Sequence, residues 1–205
     1  WNTADPYIAI ATSSPLLSAF SANMSIGFTG DIAHFLSQRS IGGGTAYLNS
    51  ICNNNSQKTA VSGSLTNSFN PLPVYSWPVT VISHEIGHNL GSPHTQSCSW
   101  PGGAIDNCYA TEGGCALGPA PVNGGTVMSY CHLNVGINLA NGFGPLPGQK
   151  IRNIIRNNPC LNPGIYFETA SQTIHEENAD VENGCFDYKL LTAKLKIPYA
   201  PTQPV

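Results

Sequence analysis

Charged side chains are scarce in this chain of 205 residues. Lysine, arginine, aspartate and glutamate together make up 9% of the sequence, and the formal net charge is -3. A nucleic-acid-binding surface needs clustered lysine and arginine, so this composition argues against a nucleic-acid partner. The sequence also lacks an apolar run of the roughly 18 residues that cross a bilayer, and it shows no charged-then-apolar leader. We therefore expect no membrane segment.

The seven cysteines include no C-x-x-C pair, which argues against a second, cysteine-based zinc site. Seven cysteines in a chain of this length instead favour an oxidising compartment and a framework of disulfides. The 21 glycines and 16 prolines are dispersed, as is typical of a loop-rich fold. We therefore expect a secreted, extracellular and monomeric protein whose signal and pro-segments are absent from this sequence, because it opens at Trp1 rather than at a methionine.

One segment, reading HEIGHNLGSPH, has the spacing of a metal site. On a helix, His84 and His88 lie on one face, one turn apart. Gly91 is the residue type that ends a helix, so the chain can turn and bring back His94 as a third ligand. Three protein ligands leave a fourth position for water, as in a catalytic zinc site. The alternative is a buried helix that carries histidines by accident. The short H-E-x-x-H pattern can arise in this way, but Gly91 and His94 at the right spacing make the metal-site pattern much more specific.

Glu85 follows the first histidine and is turned roughly 100° from it around the helix. It can therefore reach a zinc-bound water without being a ligand. In that position it acts as a general base and later gives the proton to a leaving amine. We expect Ser76 to cap this helix and Pro78 to lie in its first turn. An apolar stripe is predicted to anchor the helix in the core, opposite the histidines: Val79, Ile82, Ile86 and Leu90.

The five spaced residues of this segment match the H-E-x-x-H-x-x-G-x-x-H signature of the metzincin zinc endopeptidases. Downstream, Thr126–Tyr130 reads TVMSY and resembles the methionine turn of that family, which lies beneath the zinc. The resemblance covers most of residues 1–162. It is closest to the adamalysin (reprolysin) branch, since Asp31–Leu36 resembles its D-x-A-H-L segment, although Thr95 stands where adamalysins usually carry aspartate.

The resemblance implies an α/β (α+β) fold, a mixed twisted sheet with an active-site helix and a C-terminal helix. From the residues themselves, we predict strands at 6–12 and 25–29, a helix or turn at 14–23, a short strand near 60–62 and a helix at 148–158. The glycine-rich segment is expected to lead to an edge strand above the cleft, where a substrate adds as a further strand: Gly43, Gly44, Thr45 and Ala46.

Other site roles also follow from the resemblance. Met128 packs beneath the zinc. A tyrosine at the position of Tyr130 binds zinc and the oxyanion in astacins and serralysins but is absent from adamalysins, so Tyr130 is either a transition-state stabiliser or a wall residue. Asp31 is either a calcium ligand, as in the adamalysin branch, or a turn carboxylate. His34 is expected to be a core or strand histidine, since the zinc already has three ligands.

Disulfide pairing is only partly determined. The bond Cys52–Cys160 follows the adamalysin pattern. The next four cysteines allow three pairings, of which we prefer Cys98–Cys131 with Cys108–Cys115. Cys185 is left over and is expected to pair outside this sequence.

The composition changes after about residue 162. We predict a zinc metallopeptidase catalytic domain at 1–162 and an acidic, proline-containing extension at 163–205 that leads to a missing module, with a strand at 186–197. Metzincin domains usually have strands and a helix before a segment like the one at Trp1, and we expect those elements to be missing.

The predicted function is a secreted zinc endopeptidase that acts on proteins or peptides. The alternatives are a zinc-loaded, weakly active protein-binding module that uses the same cleft, and a deacetylase or other amide hydrolase. The intact Glu85 argues against the binding module. The methionine turn and the glycine-rich edge strand argue against a deacetylase.

Overall fold

The computed structural model describes residues 5–68 and 70–161, and the backbone of two short strands at 166–167 and 195–196. The chain divides into two units, 1–161 and 162–205. In the second unit, Tyr166–Phe167 (β4) pairs antiparallel with Leu195–Lys196 (β5). Cys185, the acidic part of the predicted extension and the rest of the strand predicted at 186–197 lie outside the described residues.

The described residues of the first unit form three α-helices and three strands. They are, in chain order, α1 (Ser13–Met24), β1 (Ala33–Leu36), β2 (Gly44–Ala46), β3 (Thr59–Ser62), α2 (Trp77–Asn89) and α3 (Pro145–Asn157), with 3-10 turns at Cys131–Leu133, Leu139–Asn141 and Pro159–Leu161. Within the part of the chain that is described, no helix is both long and apolar enough to cross a bilayer.

The sheet of this unit is mixed, with the strand order β1-β3-β2. Strand β3 lies in the centre, parallel to β1 and antiparallel to β2. Every residue of β3 is buried, as expected for a short strand covered on both faces. Strand β2 is an edge strand, as predicted. The mixed α+β architecture that the resemblance implied is confirmed.

A hydrophobic cluster joins α1 to one face of the sheet. Leu16, Leu17 and Phe20 of the helix are buried against Ile41 and Val61. Fully burying an aliphatic or aromatic side chain of this kind contributes about 1.5–3 kcal/mol each, so this cluster is a major source of stability for the unit. The helix predicted at 14–23 is therefore confirmed, because its apolar residues have a sheet to pack on.

The strand predicted at 6–12 is wrong. Residues 6–9 form a turn, and their carbonyl groups are used by a side chain rather than by a neighbouring strand. Arg39 donates hydrogen bonds to the carbonyl oxygens of Tyr7, Ile8 and Ile10 at 3.0–3.1 Å. Asp5 is also paired with Arg39 at 3.9 Å. The guanidinium of Arg39 thus fixes the path of this segment, which we had predicted to be a short strand.

The strand predicted at 25–29 is also wrong. The backbone N–H of Ser25 still bonds the last carbonyls of α1. Gly27 and Gly30 have φ angles of 110° and 142°. These angles lie outside the range of a regular strand, so the chain loops here and enters the sheet only at Ala33.

Helix α2 begins and ends near the predicted positions. Ser76 is the N-cap residue, but its side chain makes no capping hydrogen bond. At the other end Gly91 has a φ of 88°, the left-handed conformation that turns the chain after a helix. Asn89 is fully buried, and its amide lies within hydrogen-bond distance of the carbonyls of Tyr47 and Thr59 and of the hydroxyl of Ser50. This side chain ties the end of α2 to the sheet.

The predicted apolar stripe of α2 is not its buried face. Val79, Ile82 and Ile86 are only partly buried. The buried residues lie on the side that carries the histidines: Thr80, Val81, His84, Glu85, Gly87 and Asn89. The reason is that β2, β3 and the methionine turn cover this side. The helix therefore encloses its chemically active groups, and hydrophobicity alone predicted the wrong face.

The predicted Cys52–Cys160 disulfide is present, with Cα atoms 5.7 Å apart. It joins the segment after β2 to the end of α3, across a separation of 108 residues. In the chain-entropy model, closing a loop of this size stabilises the fold by on the order of 4–5 kcal/mol.

The preferred pairing of the other four cysteines is wrong. The structure contains Cys98–Cys115 and Cys108–Cys131 instead. The cause is a local backbone pairing: the N–H of Cys98 donates to the carbonyl of Glu112 at 2.8 Å, which brings Cys98 beside the following residues. Cys108 is left facing Cys131, at the end of the methionine turn. Nothing in the cysteine spacing predicts this backbone pairing.

Candidate metal and catalytic centre

Three histidine rings converge between α2 and the loop that follows it. The ring centroids of His84 and His88 are 4.7 Å apart, and that of His94 lies 4.6 Å from His88 and 5.1 Å from His84. One ligand atom from each residue falls within a group whose members all lie within 4.8 Å of one another. The helical spacing and the turn at Gly91 thus bring together the three residues that the sequence singled out.

Each ring is held through its Nδ1 atom. His84 Nδ1 lies 2.7 Å from the carbonyl oxygen of Val127, and His88 Nδ1 lies 2.8 Å from that of Ser92. His94 Nδ1 lies 2.6 Å from Oε1 of Glu112. A carbonyl or carboxylate oxygen only accepts, so in the neutral form of each ring the proton lies on Nδ1 and the lone pair lies on Nε2. All three imidazoles are therefore in the tautomer that a metal requires at Nε2.

The geometry suits one cation. His88 Nε2 and His94 Nε2 lie 3.0 Å apart, and both carry lone pairs in this tautomer. Two facing lone pairs repel each other, whereas a zinc ion about 2.0–2.1 Å from each nitrogen fits between them. Three neutral nitrogen ligands also match the donor set of catalytic zinc.

Burial keeps His84 and His88 neutral. It lowers the pKa of His84 well below its usual range, and the neighbouring His88 and His94 lower it further. The pKa of His88 is about 4, also mainly because of burial. A metal therefore does not have to displace a proton from either ring at neutral pH.

Glu85 lies beside the histidines and is 4% exposed. Burial raises the pKa of its carboxyl group to about 8. Its Oε2 atom has no hydrogen-bond partner among the described residues. Its other oxygen faces the edge strand: a Cβ added at Gly44 would lie 2.3 Å from Oε1. The absence of a side chain at Gly44 is therefore what gives the carboxyl group its place.

Met128 is fully buried beside α2. A Cβ added at Gly87 would lie 2.5 Å from its sulfur, so the methionine packs against α2 between the turns that carry His84 and His88. The backbone N–H of Thr95 donates to the carbonyl of Met128 at 3.1 Å. The methionine turn is thereby joined to the residue that follows the third histidine.

A cavity of about 120 Å³ opens beside Glu85. The aromatic ring of Tyr130 lies 4.6 Å from that of His94. Burial raises the pKa of Tyr130, with further contributions from Glu112, Glu85 and Tyr109, so the phenol keeps its proton. The cavity is lined by Gly42, Gly43, Gly44, Trp77, Thr80, Val81, His84, Glu85, Ser129, Tyr130 and His132.

Strand β2 forms the upper side of this cavity. Among the described residues it pairs with β3 alone, with Thr45 opposite Val61. Gly43 and Gly44 line the cavity, while Thr45 turns its hydroxyl towards Ser13 at 2.7 Å. The strand predicted to bind substrate therefore has one face towards the cavity with Glu85 and the other face towards Ser13 of α1.

The calcium expectation finds no support. Asp31 is exposed and belongs to neither of the two groups of metal-ligand side chains in the described part of the chain.

His34 lies in β1 with Nε2 2.9 Å from the hydroxyl of Ser62, and burial lowers its pKa to about 4. It is a partly buried strand histidine, apart from the three rings.

The second group of metal-ligand side chains contains Asp106, Cys108 and Cys131. Its two cysteines are joined in a disulfide, which leaves no thiolate to bind a metal.

Sequence reasoning missed Glu112. It lies far from the histidine motif, in a loop without periodicity, and no spacing rule links it to His94. It also missed the contributions of Trp77 and His132 to the cavity. For Trp77, its place at the start of the histidine-bearing helix was the one feature of the sequence that could have indicated a position beside the cavity.

A comparison with protein families supports the geometry. A reprolysin model, described as metallo-peptidase family M12, matches residues 2–138. This range is more than half of the chain and contains the three histidines, Glu85 and Met128. A search of curated proteins finds no significant match. The chain therefore belongs to metallopeptidase family M12, in its reprolysin-like branch.

Proposed function

We propose that this protein is a secreted, zinc-dependent endopeptidase in which Glu85 is the general base. The observation that carries the proposal is the convergence of three Nε2 lone pairs beside a buried carboxyl group. Membership of a metallopeptidase family gives the reaction class. The three disulfides support an extracellular location, since such bonds persist in oxidising compartments.

His84, His88 and His94 would hold the zinc. When bound, the ion supplies Lewis-acid chemistry, which makes water acidic enough to lose a proton near neutral pH and polarises a substrate carbonyl. The chain itself provides the proton acceptor. Glu85 takes a proton from the attacking water and transfers it to the nitrogen of the departing amine. A cation next to the carboxyl group opposes the effect of burial on its pKa and favours the ionised base.

Tyr130 is proposed to stabilise the transition state. Its ring lies next to that of His94, and its phenol keeps the proton that it needs to donate a hydrogen bond. A donor of this kind can stabilise the oxyanion that forms at the substrate carbonyl. Met128 takes no part in proton transfer. Its role is to hold α2 from beneath, so that the ligands keep their positions.

The substrate backbone is proposed to add to β2. This strand has an unpaired side in the described sheet, and it runs beside Glu85. An extended peptide that bonds to its N–H and C=O groups would lie across the histidines in a fixed register. The substrate is therefore a protein or peptide segment in extended form, rather than a folded surface.

Metal content and cleavage of an unbiased peptide library, with and without a chelator, test this function. We expect one zinc per chain and endopeptidase activity that the chelator abolishes and zinc restores. A matched variant, Glu85→Gln, keeps the shape of the side chain and removes the base. It should retain zinc and lose on the order of 10²–10⁴ in rate or more.

Different failures have different meanings. Near-native activity in Glu85→Gln would refute the role of Glu85. One zinc without cleavage in the unmodified protein would favour a protein-binding module that uses the same cleft. No bound zinc would refute the metal site itself.

A further inference from the structure

The three histidines differ in what holds them. His84 and His88 are held by the main-chain carbonyls of Val127 and Ser92. His94 is held by a side chain, the carboxyl group of Glu112, at 2.6 Å. A carboxylate is a stronger hydrogen-bond acceptor for an imidazole N–H than a neutral carbonyl is. The third ligand therefore has a partner that is both charged and replaceable by mutation.

Glu112 is held in place from several directions. Its backbone N–H donates to the carbonyl of Gln96 at 3.1 Å, and its own carbonyl accepts from the N–H of Cys98 at 2.8 Å. The amide of Gln96, a fully buried residue, donates to the same Oε1 atom at 3.2 Å. The Cys98–Cys115 disulfide closes the loop on the other side. Glu112 is thus fixed against the segment that directly follows His94.

We propose that Glu112 is a positioning residue for the metal site, which fixes the tautomer and the ring orientation of His94. This inference rests on the proposed zinc site. Glu112 does not line the cavity beside Glu85, and it contacts the three histidines through Nδ1 of His94. Its side chain is 47% exposed, whereas that of His94 is 19% exposed. A structural role in the core does not explain a half-exposed carboxylate at this position.

The bond has two effects on His94. It keeps the proton of the neutral ring on Nδ1, so that Nε2 presents its lone pair to the metal. It also raises the electron density on the ring, which strengthens the ligand. Without Glu112, the ring of His94 can rotate and can place its proton on Nε2. His94 lies in a loop beyond the end of α2. Its ring therefore has more conformational freedom than those of the two helical ligands, and it depends more on a partner to hold it.

The test is the zinc affinity of the full chain, measured by competition with a chromogenic chelator. Removal of such a partner typically lowers metal affinity by about 10–100-fold, and we expect Glu112→Ala to fall in this range. Glu112→Gln keeps an oxygen acceptor without the charge, and it should lie between Glu112→Ala and the unmodified protein. Cobalt substitution gives a second readout, because the visible bands of Co²⁺ report the ligand field directly.

Thr111→Val is the matched control. Thr111 lies in the same loop and donates a hydrogen bond to the carbonyl of Cys115 at 3.0 Å, without contact to His94. It should leave zinc affinity and the cobalt spectrum unchanged. Equal weakening in Thr111→Val and Glu112→Ala would show that loop stability alone matters, and unchanged affinity in Glu112→Ala would also overturn the inference. If the unmodified protein binds no zinc, the proposed function fails as well.

Discussion

The contact between Gly44 and Glu85 gives a sharp test of where the proposed base lies. In Gly44→Ala, the new Cβ would lie 2.3 Å from Oε1 and 2.6 Å from Cγ and Cδ of Glu85. Restoring ordinary van der Waals separations moves the carboxyl group by roughly 1 Å. Gly44 does not have a positive φ, so alanine fits its backbone without strain. The substitution therefore acts on the base and leaves the main chain in place.

A misplacement of about 1 Å in a catalytic group can reduce the rate by about 10²-fold. We expect Gly44→Ala to lose about this much in kcat/KM on a peptide substrate. Zinc content should remain at one ion per chain, because the three atoms nearest to the added Cβ all belong to Glu85 rather than to a histidine. The assay therefore combines kcat/KM, zinc stoichiometry and thermal denaturation on the same preparation.

Gly42→Ala is a useful comparison. A Cβ at this position would meet no atom within 4 Å, but the φ of 83° is unfavourable for alanine. It should cost about 1–2 kcal/mol of stability without moving Glu85, so activity should fall far less than in Gly44→Ala. If Gly44→Ala keeps activity within a few-fold of the unmodified protein, the carboxyl group has room to adapt and the reasoning is refuted.

Two further predictions concern stability. Asn89→Ala removes the buried amide that donates hydrogen bonds to Tyr47, Ser50 and Thr59. We expect the free energy of unfolding, measured in urea, to fall by about 2–4 kcal/mol. A change below about 1 kcal/mol would contradict this role of Asn89. His34 has a folded pKa of about 4, below the usual 6.5, so the unfolded chain binds its proton first and stability falls as the pH drops from 6.5 towards 4. We expect His34→Gln to reduce this dependence of the unfolding free energy on pH, measured in the metal-free proteins. The contribution of His34 is at most about 1.4 kcal/mol per pH unit, and it is smaller for a partly exposed ring. An identical pH dependence in both proteins would refute the prediction.

The metal centre was predictable because its information is local. The spacing of His84 and His88 is fixed by the helical repeat, and a glycine at position 91 allows the turn that returns His94. The helical spacing and the turn at Gly91 depend only on local residues and not on contacts with the rest of the fold. The edge strand and the methionine turn required more, since only resemblance linked them to the histidines.

The remaining features depend on contacts between distant segments. Glu112 reaches His94 because two irregular stretches pair, and the same pairing decides that Cys98 meets Cys115. No periodicity in the sequence marks either event. The buried face of α2 was mistaken for a related reason: hydrophobicity indicates which side of a helix prefers to be covered, but the sheet and the methionine turn cover the side that carries the chemistry.

The Cys52–Cys160 disulfide has a consequence for any cleavage of the chain between its two cysteines. The loop before α2 carries protruding apolar residues, with Leu72 69% and Val74 56% exposed, and it lies between the two bonded cysteines. A cut there would divide the chain into two fragments, yet the disulfide would keep them covalently joined. All three histidines and Glu85 would remain on the second fragment. Self-digestion at this loop would therefore be invisible on a gel until the sample is reduced, and the nicked molecule would keep its catalytic groups.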